Sequence, residues 1–453
     1  MFHRFILITG DNLSFHDNLK LMGIDNSHKQ ESIYNRVNNR IFDLFYHDIK
    51  YLMKLPVYFD NSATTPCDAA VIESMLPFFG ENYGNPASHF HRYGWEAEEA
   101  VEQARIRIAR LIGSKPAEII FTSGATESCN LALKGVIENS PISHPHVITL
   151  STEHKAVLET VKLLQEKGCL VTTVGVDNKG LPDMNELEDA IRPSTMLIAT
   201  MYANNETGVI NPVKEIAGIA HSRGILFFSD ATQAVGKIPV SVMDDGIDLM
   251  AFTAHKMYGP KGIGALYKNS NNRRLKIRAQ MCGGKQERGY RGGTLNVPGI
   301  AGFGKAAQLA QEDPDLTGRN LMRWRNKIEK ALLELPGIYL NGDPETRLPH
   351  ITNISIEDVD SERLLFLLSS KLAFSSGAAC SSSTREPSHV LQAMGINPDL
   401  LHNTVRLSLG RYTTEAEIDF AIEELGNAIN GLRAGESKQT SSRLQPSSFS
   451  GRP

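Results

Sequence analysis

From about residue 66 the chain alternates short runs that are apolar throughout with longer stretches whose apolar residues recur at helical spacing. That alternation limits the fold more than any other feature. The runs EIIFTS, HVITLS, LVTTVGV, MLIATMY, GILFFSD, DLMAFTA and IGALYK lack the in-and-out pattern of a half-exposed strand, so they predict strands buried on both faces. Pro66 to Phe79, Tyr93 to Ile112, Lys155 to Glu166 and Val213 to Arg223 predict helices. Buried strands joined by helices build an α/β, doubly wound, mostly parallel sheet, here over residues 66–310.

After residue 310 the texture changes. Longer helices are expected at 318–335, 360–372 and 413–434, with strand-like ITNISI and TVRLSL between them. Residues 311–435 therefore predict a smaller α+β domain, which the early strand PVYFD, within 54–65, would join. Residues 436–453 hold six serines and little that is apolar, and predict disorder. Residues 1–53 form an N-terminal extension of no evident role. Its six acidic and six basic residues argue against an import leader, which is poor in acids. Met53, just before KLPVYFD, is a candidate functional start.

Composition excludes several classes of function. A net charge of −4 with no basic patch argues against a nucleic-acid surface, and the apolar stretch Phe5 to Ile8 is far too short to span a bilayer. Five cysteines, widely spaced and without a CxxC pair, suggest neither a disulfide framework nor a metal site, and fit the reducing cytoplasm.

In open α/β sheets ligands bind beyond the carboxyl ends of the strands. Those ends carry TSGATES, STEH, ANNETG, SDATQ and TAHK. TSGATES turns from strand into helix, so it is either an anion site offering backbone N–H groups and the Thr126 hydroxyl, or a plain helix cap. Asp230 follows a buried run, where a carboxylate needs a cation, a cap or an ion pair. His154 is either a satisfied polar group or a ring that stacks and moves protons. Lys256 ends a buried strand, where desolvation lowers an amine's pKa and makes it nucleophilic. Together these are the parts that pyridoxal 5'-phosphate (PLP) requires: Lys256 for the aldehyde, Asp230 for the ring nitrogen, Gln233 for the phenolic oxygen, and Thr126, Thr253 and His255 for the phosphate.

Two further residues stand apart. Cys380 lies in SSGAACSSSTREPSHV, with no bulky side chain for ten residues after Phe374, which reads as a mobile arm bearing a reactive thiol rather than a core cysteine. Arg406 sits inside a strand, either bracing an ion pair or gripping a carboxylate.

The motifs LPVYFDNSATTP, GNPAS, FTSGATES, TEHKAVL, NNETGV, DATQAVGK, HKMYGPKGIGALY, ERGYRGGT and SSGAACSSSTREPSHVL, spread over residues 55–427, resemble those of the cysteine desulfurases of the IscS/NifS type. These are class V aminotransferase-like PLP enzymes of fold type I. The resemblance implies conversion of L-cysteine to L-alanine, with sulfur carried as a persulfide on Cys380. Lys256 would bear PLP and then act as a base, with His154 stacking and handling protons. Ala125, Thr126, Asn205, Asp230, Gln233, Thr253 and His255 would hold the cofactor, and Asn205 and Arg406 the substrate. Thr294 would reach the phosphate of a neighbouring subunit, implying a homodimer with shared active sites. No resident metal is implied. An iron–sulfur scaffold protein, or the machinery of tRNA thiolation, would receive the sulfur, although residues 436–453 lack the hydrophobic and aromatic tail of close family members. A relative acting on selenocysteine or cysteine sulfinate, and a non-catalytic platform, are the alternatives.

Overall fold

The computed structural model describes residues 53–312, 314–377 and 386–443. Cys380 and residues 1–52 therefore lie outside the described part. After β1 (Val57–Tyr58), strands β2 (Ile119–Thr122), β3 (His146–Leu150), β4 (Leu170–Val174), β5 (Thr195–Met201), β6 (Leu226–Asp230), β7 (Leu249–Thr253) and β8 (Gly264–Lys268) form a seven-stranded sheet in the order β2-β8-β7-β6-β5-β3-β4. Only β8 runs against its neighbours β2 and β7. The other pairings are parallel.

Both faces of this sheet are covered, which is why its strands read as continuous apolar runs. Ile119, Phe121, Ile148, Ile198, Phe227, Met250 and Phe252 pack into one core with the helices Arg92–Leu111, Val213–Ser222 and Val297–Glu312. Ile120, Val147, Leu197, Phe228, Leu249 and Ala251 pack into another with the helices Ala125–Ile137 and Lys155–Glu166. The adjacent Phe227 and Phe228 are both fully buried, on opposite faces. Truncating either to alanine should cost about 3–5 kcal/mol.

The remaining strands are β9 (Ile338–Leu340), β10 (Ile351–Ile356), β11 (Leu372–Ala373), β12 (Ser375–Ser376) and β13 (Thr404–Ser408). An antiparallel sheet runs β12-β13-β10-β9, while β1 pairs with β11 and Asp60 bridges Ser408. The early strand thus brings residues 60–65 beside the C-terminal part of the chain.

Several local expectations need correction. LVTTVGV is not a buried strand: β4 lies at the sheet edge, with Leu170 and Thr173 exposed. The helix expected over Pro66 to Phe79 is two, Ala69–Met75 and Pro77–Gly80, because Pro77 has no N–H to continue the first and suits the start of the second. The serine-rich tail is helical further than its composition suggests, since the final helix runs Glu415–Arg443. Adding residues to an existing helix is far easier than nucleating one. Among the described residues no helix is long and apolar enough to cross a membrane, and no cluster of potential metal ligands occurs.

Candidate active site

The carboxyl ends of β2, β3, β5, β6 and β7 open at one edge of the large sheet, around a cavity of about 740 Å³. Ala125, Thr126, His154, Asn205, Asp230, Gln233, Thr253, His255, Lys256 and Arg406 all line it. One folding rule, that parallel strands end together, therefore gathers residues from 125 to 256. Arg406 is delivered separately by β13 of the smaller sheet.

Lys256 ends a single 3₁₀ turn, Ala254–Lys256, that follows β7 directly. Its Nζ donates to the backbone carbonyls of Ser62 and Ala63, the latter at 2.6 Å. Burial first, and then the Arg406 charge, lowers its pKa to about 8, against the opposing pull of Asp60 and Asp230. The amine is held by groups that can release it and is partly neutral near neutral pH.

Asp230 ends β6 and is only 6% exposed. Its Oδ1 accepts the N–H of Thr232 at 3.0 Å, and its Oδ2 faces the Cys129 thiol at 3.8 Å. Burial and then the Asp230 charge push that thiol well up, so Cys129 is a neutral neighbour. Glu153, fully buried and immediately before His154 in sequence, takes Met201 N–H at 2.6 Å, and burial pushes its carboxyl well up. His154 caps the helix Lys155–Glu166, its Nδ1 accepting from Ala156 N at 3.1 Å, and burial lowers its pKa despite the Asp230 charge. His255 bonds the Thr64 hydroxyl through Nδ1 at 3.1 Å and is driven down to about 4, first by burial and then by Lys256.

Gln233 is pinned at both ends of its amide: Nε2 donates to Ser62 O at 2.9 Å, and Oε1 accepts from Lys237 Nζ at 3.0 Å. The Thr253 hydroxyl donates to Ile263 O at 2.9 Å, so it offers an anion lone pairs rather than a hydrogen. Arg406 Nη1 donates to Asn205 O at 2.9 Å, and Nη2 to Asp60 Oδ1 at 2.8 Å and Ser375 Oγ at 2.9 Å. The ion pair expected as one possibility for Arg406 is thus present, and the same residue lines the cavity. Thr294 is exposed and does not line the cavity. Cys380 lies outside the described residues, but Phe374, Ser375 and Ser376, just before it, line the cavity.

Sequence reasoning missed Asp60, the two carbonyls that hold Lys256, and the buried pair Cys129 and Glu153. A carboxylate in YFDNSA reads as an ordinary turn residue, and nothing local announces an arginine far along the chain.

The donor set fits PLP. An amine of lowered pKa suits the aldehyde, a buried carboxylate without a cation suits the ring nitrogen, and the start of a thirteen-residue helix leaves N–H groups for the phosphate. Thr232 Oγ1 and Arg406 Nε are buried without hydrogen-bond partners among the described residues. Polar atoms in that position point to a ligand that completes the site.

The aminotransferase class-V family model matches residues 57–420. A cysteine desulfurase IscS of Salmonella schwarzengrund is 48% identical over 383 residues, covering 84% of this chain and 94% of that protein. A solved NifS-like protein superposes with a TM-score of 0.78 at 38% identity, covering 83% of this chain and all (100%) of its own. SspA, solved in complex with cysteine, does so at 0.70 and 36%, covering 79% and 99%. An amine of lowered pKa, a buried carboxylate and a helix start around one cavity agree with a match of this length, and the chain belongs to the PLP-dependent class-V aminotransferase family, among its cysteine desulfurases of the IscS/NifS type.

Proposed function

We propose that the chain converts L-cysteine to L-alanine and keeps the sulfur as a persulfide on Cys380. The observation that carries this reading is the Lys256 amine, its pKa lowered to about 8, in one cavity with the Asp230 carboxylate and the Arg406 guanidinium. We read residues 66–310 as the cofactor-binding domain, and 54–65 with 311–435 as the domain that brings Arg406 and the Cys380 segment to it.

PLP, when bound, supplies a sink for the electron pair left at the substrate's Cα. Lys256 would hold the cofactor and, as a free amine, would move the Cα proton. Asp230 holds the proton of the ring nitrogen. Ala125, Thr126 and His255 would hold the phosphate. Arg406 and Asn205 orient the substrate carboxylate, and His154 covers the ring. The Cys380 thiolate attacks the substrate sulfur, the C–S bond breaks with its electron pair going to Cβ, and Cβ takes a proton, which gives alanine.

A homodimer is part of this reading, with Thr294 reaching the neighbour's cofactor phosphate. The exposed side chains of Leu76, Phe79, Tyr83, Phe90 and Trp95 give a second copy apolar surface to cover. The persulfide would pass, in the cytoplasm, to an iron–sulfur scaffold protein or to tRNA thiolation.

The test is alanine and sulfide release from L-cysteine by the wild type, Lys256→Ala and Cys380→Ala, with cofactor absorbance recorded for each. Lys256→Ala should lose the lysine-bound absorbance band. Cys380→Ala should keep its colour and lose desulfuration by at least about a hundredfold. Undiminished sulfur release by Cys380→Ala would instead indicate a lyase that needs no thiol, such as one acting on selenocysteine or cysteine sulfinate.

A further inference from the structure

Glu127 is out of place in an anion site. It lines the cavity in the first turn of the helix Ala125–Ile137, beside the turn where, on the reading above, a phosphate binds. Like charges at such short range repel, and the repulsion grows as water is excluded. The carboxylate is nevertheless fully employed. Its Oε2 accepts the N–H of Ser123 at 2.7 Å, and its Oε1 accepts Nε of Arg291 at 3.1 Å. Burial pushes the carboxyl up, but the hydrogen bonds from Ser123 and Arg291 outweigh it and hold the group below its ordinary value.

Arg291 is itself held in place. It follows Glu287, a buried residue whose carboxylate takes both Arg105 Nη groups at 2.8 and 2.9 Å and the N–H of Phe121 at 2.7 Å. Phe121 belongs to β2, the strand that leads into the anion turn. The segment carrying Arg291 is therefore fixed at two points, to β2 through Glu287 and to the turn through Glu127. Glu287 adopts φ of 45° and Arg288 of 57°, left-handed values that side-chain-bearing residues adopt at some cost and that the buried ion pair sustains.

We propose that Glu127 and Arg291 are a pair of positioning residues for the cofactor phosphate: Glu127 closes the turn by holding the Ser123 N–H, and Arg291 cancels its charge so that the turn still accepts an anion. The inference rests on the turn being a phosphate site. It makes a prediction about sign that a merely structural ion pair does not. Removing Arg291 alone leaves a bare carboxylate beside the phosphate, whereas removing both charges restores a neutral turn.

The full-length protein, stripped of cofactor, is titrated with PLP and with pyridoxal, which lacks the phosphate. The ratio of the two dissociation constants isolates the phosphate contribution. Arg291→Met should weaken PLP by about tenfold or more while changing pyridoxal by less than about threefold. The double variant Arg291→Met with Glu127→Gln should return PLP to within about threefold of wild type. Glu127→Gln alone keeps an acceptor for Ser123 N–H and should raise the preference for PLP, so it also tests the idea if Arg291→Met does not fold. An unchanged ratio in Arg291→Met, a double variant no better than the single, or a weaker PLP preference in Glu127→Gln each overturns the proposal. A wild type that binds pyridoxal as tightly as PLP would remove the phosphate reading itself, and the proposal with it.

Discussion

Asp230 and Arg406 line the same cavity and are prepared for charge in opposite ways. Asp230, at the end of a central strand of the large sheet, has a backbone N–H and a neutral thiol as its hydrogen-bond partners among the described residues, and no cation bonds it directly there. Arg406, on the small antiparallel sheet, already bonds a carboxylate, a hydroxyl and a backbone carbonyl. A buried carboxylate with no cation bonded to it is costly, so the Asp230 wall suits a cationic ring that stays. An arginine with its own counter-ion can take up a substrate carboxylate and give it back. Resident cofactor and transient substrate would thus be distinguished by how completely the protein satisfies the residue that meets them.

The largest effect should come from the wall that waits for its cation. Asp230→Asn keeps an acceptor for Thr232 N–H but loses the charge that would hold a protonated ring nitrogen. Removing one partner of a buried charge pair costs about 3 kcal/mol or more, so kcat should fall by at least about a hundredfold while the cofactor still attaches at Lys256. A kcat within a few-fold of wild type would reduce Asp230 to a turn cap and end the comparison.

Arg406→Lys should have an intermediate effect, and one of a different kind. The charge remains, but the planar fork is lost, so KM for L-cysteine should rise by about ten- to a hundredfold with kcat little changed. If kcat falls and KM does not, Arg406 braces the two sheets rather than gripping substrate.

The two walls also differ in how legible they were. Asp230, Lys256 and His154 could be read because each ends a buried run, and parallel strands place their ends together whatever their order. The same rule concealed the direction of β8, since IGALYK is equally apolar whether it runs with its neighbours or against them. The Arg406 wall was only half visible. An arginine inside a strand stood out, but its partner Asp60 lies 346 residues away in a stretch that looks like a turn. Pairings of that separation leave no periodic trace in a sequence. Glu127 was hidden for a related reason: five residues after the end of β2, it looks like any acidic residue favoured in a helix's first turn.

The smallest effect should come from Asp60→Asn, and its direction decides whether Arg406 is preloaded or merely propped. Asparagine keeps an oxygen for Arg406 Nη2 and Ser375 Oγ, so geometry is largely retained while the charge is lost. A substrate carboxylate then meets an arginine with no rival anion, and KM for L-cysteine should fall by about two- to fivefold. The same change reaches Lys256. Asp60 raises the pKa of that amine, so without it the value should move further down from about 8. A lower pKa leaves more neutral amine at pH 7, and the cofactor-free variant should capture an aldehyde faster there, with the midpoint of its pH–rate curve below that of wild type. A KM that rises instead, with the Lys256 midpoint unmoved, would mean that Asp60 only orients the guanidinium, and that the Arg406 wall, like the Asp230 wall, waits incomplete for its ligand.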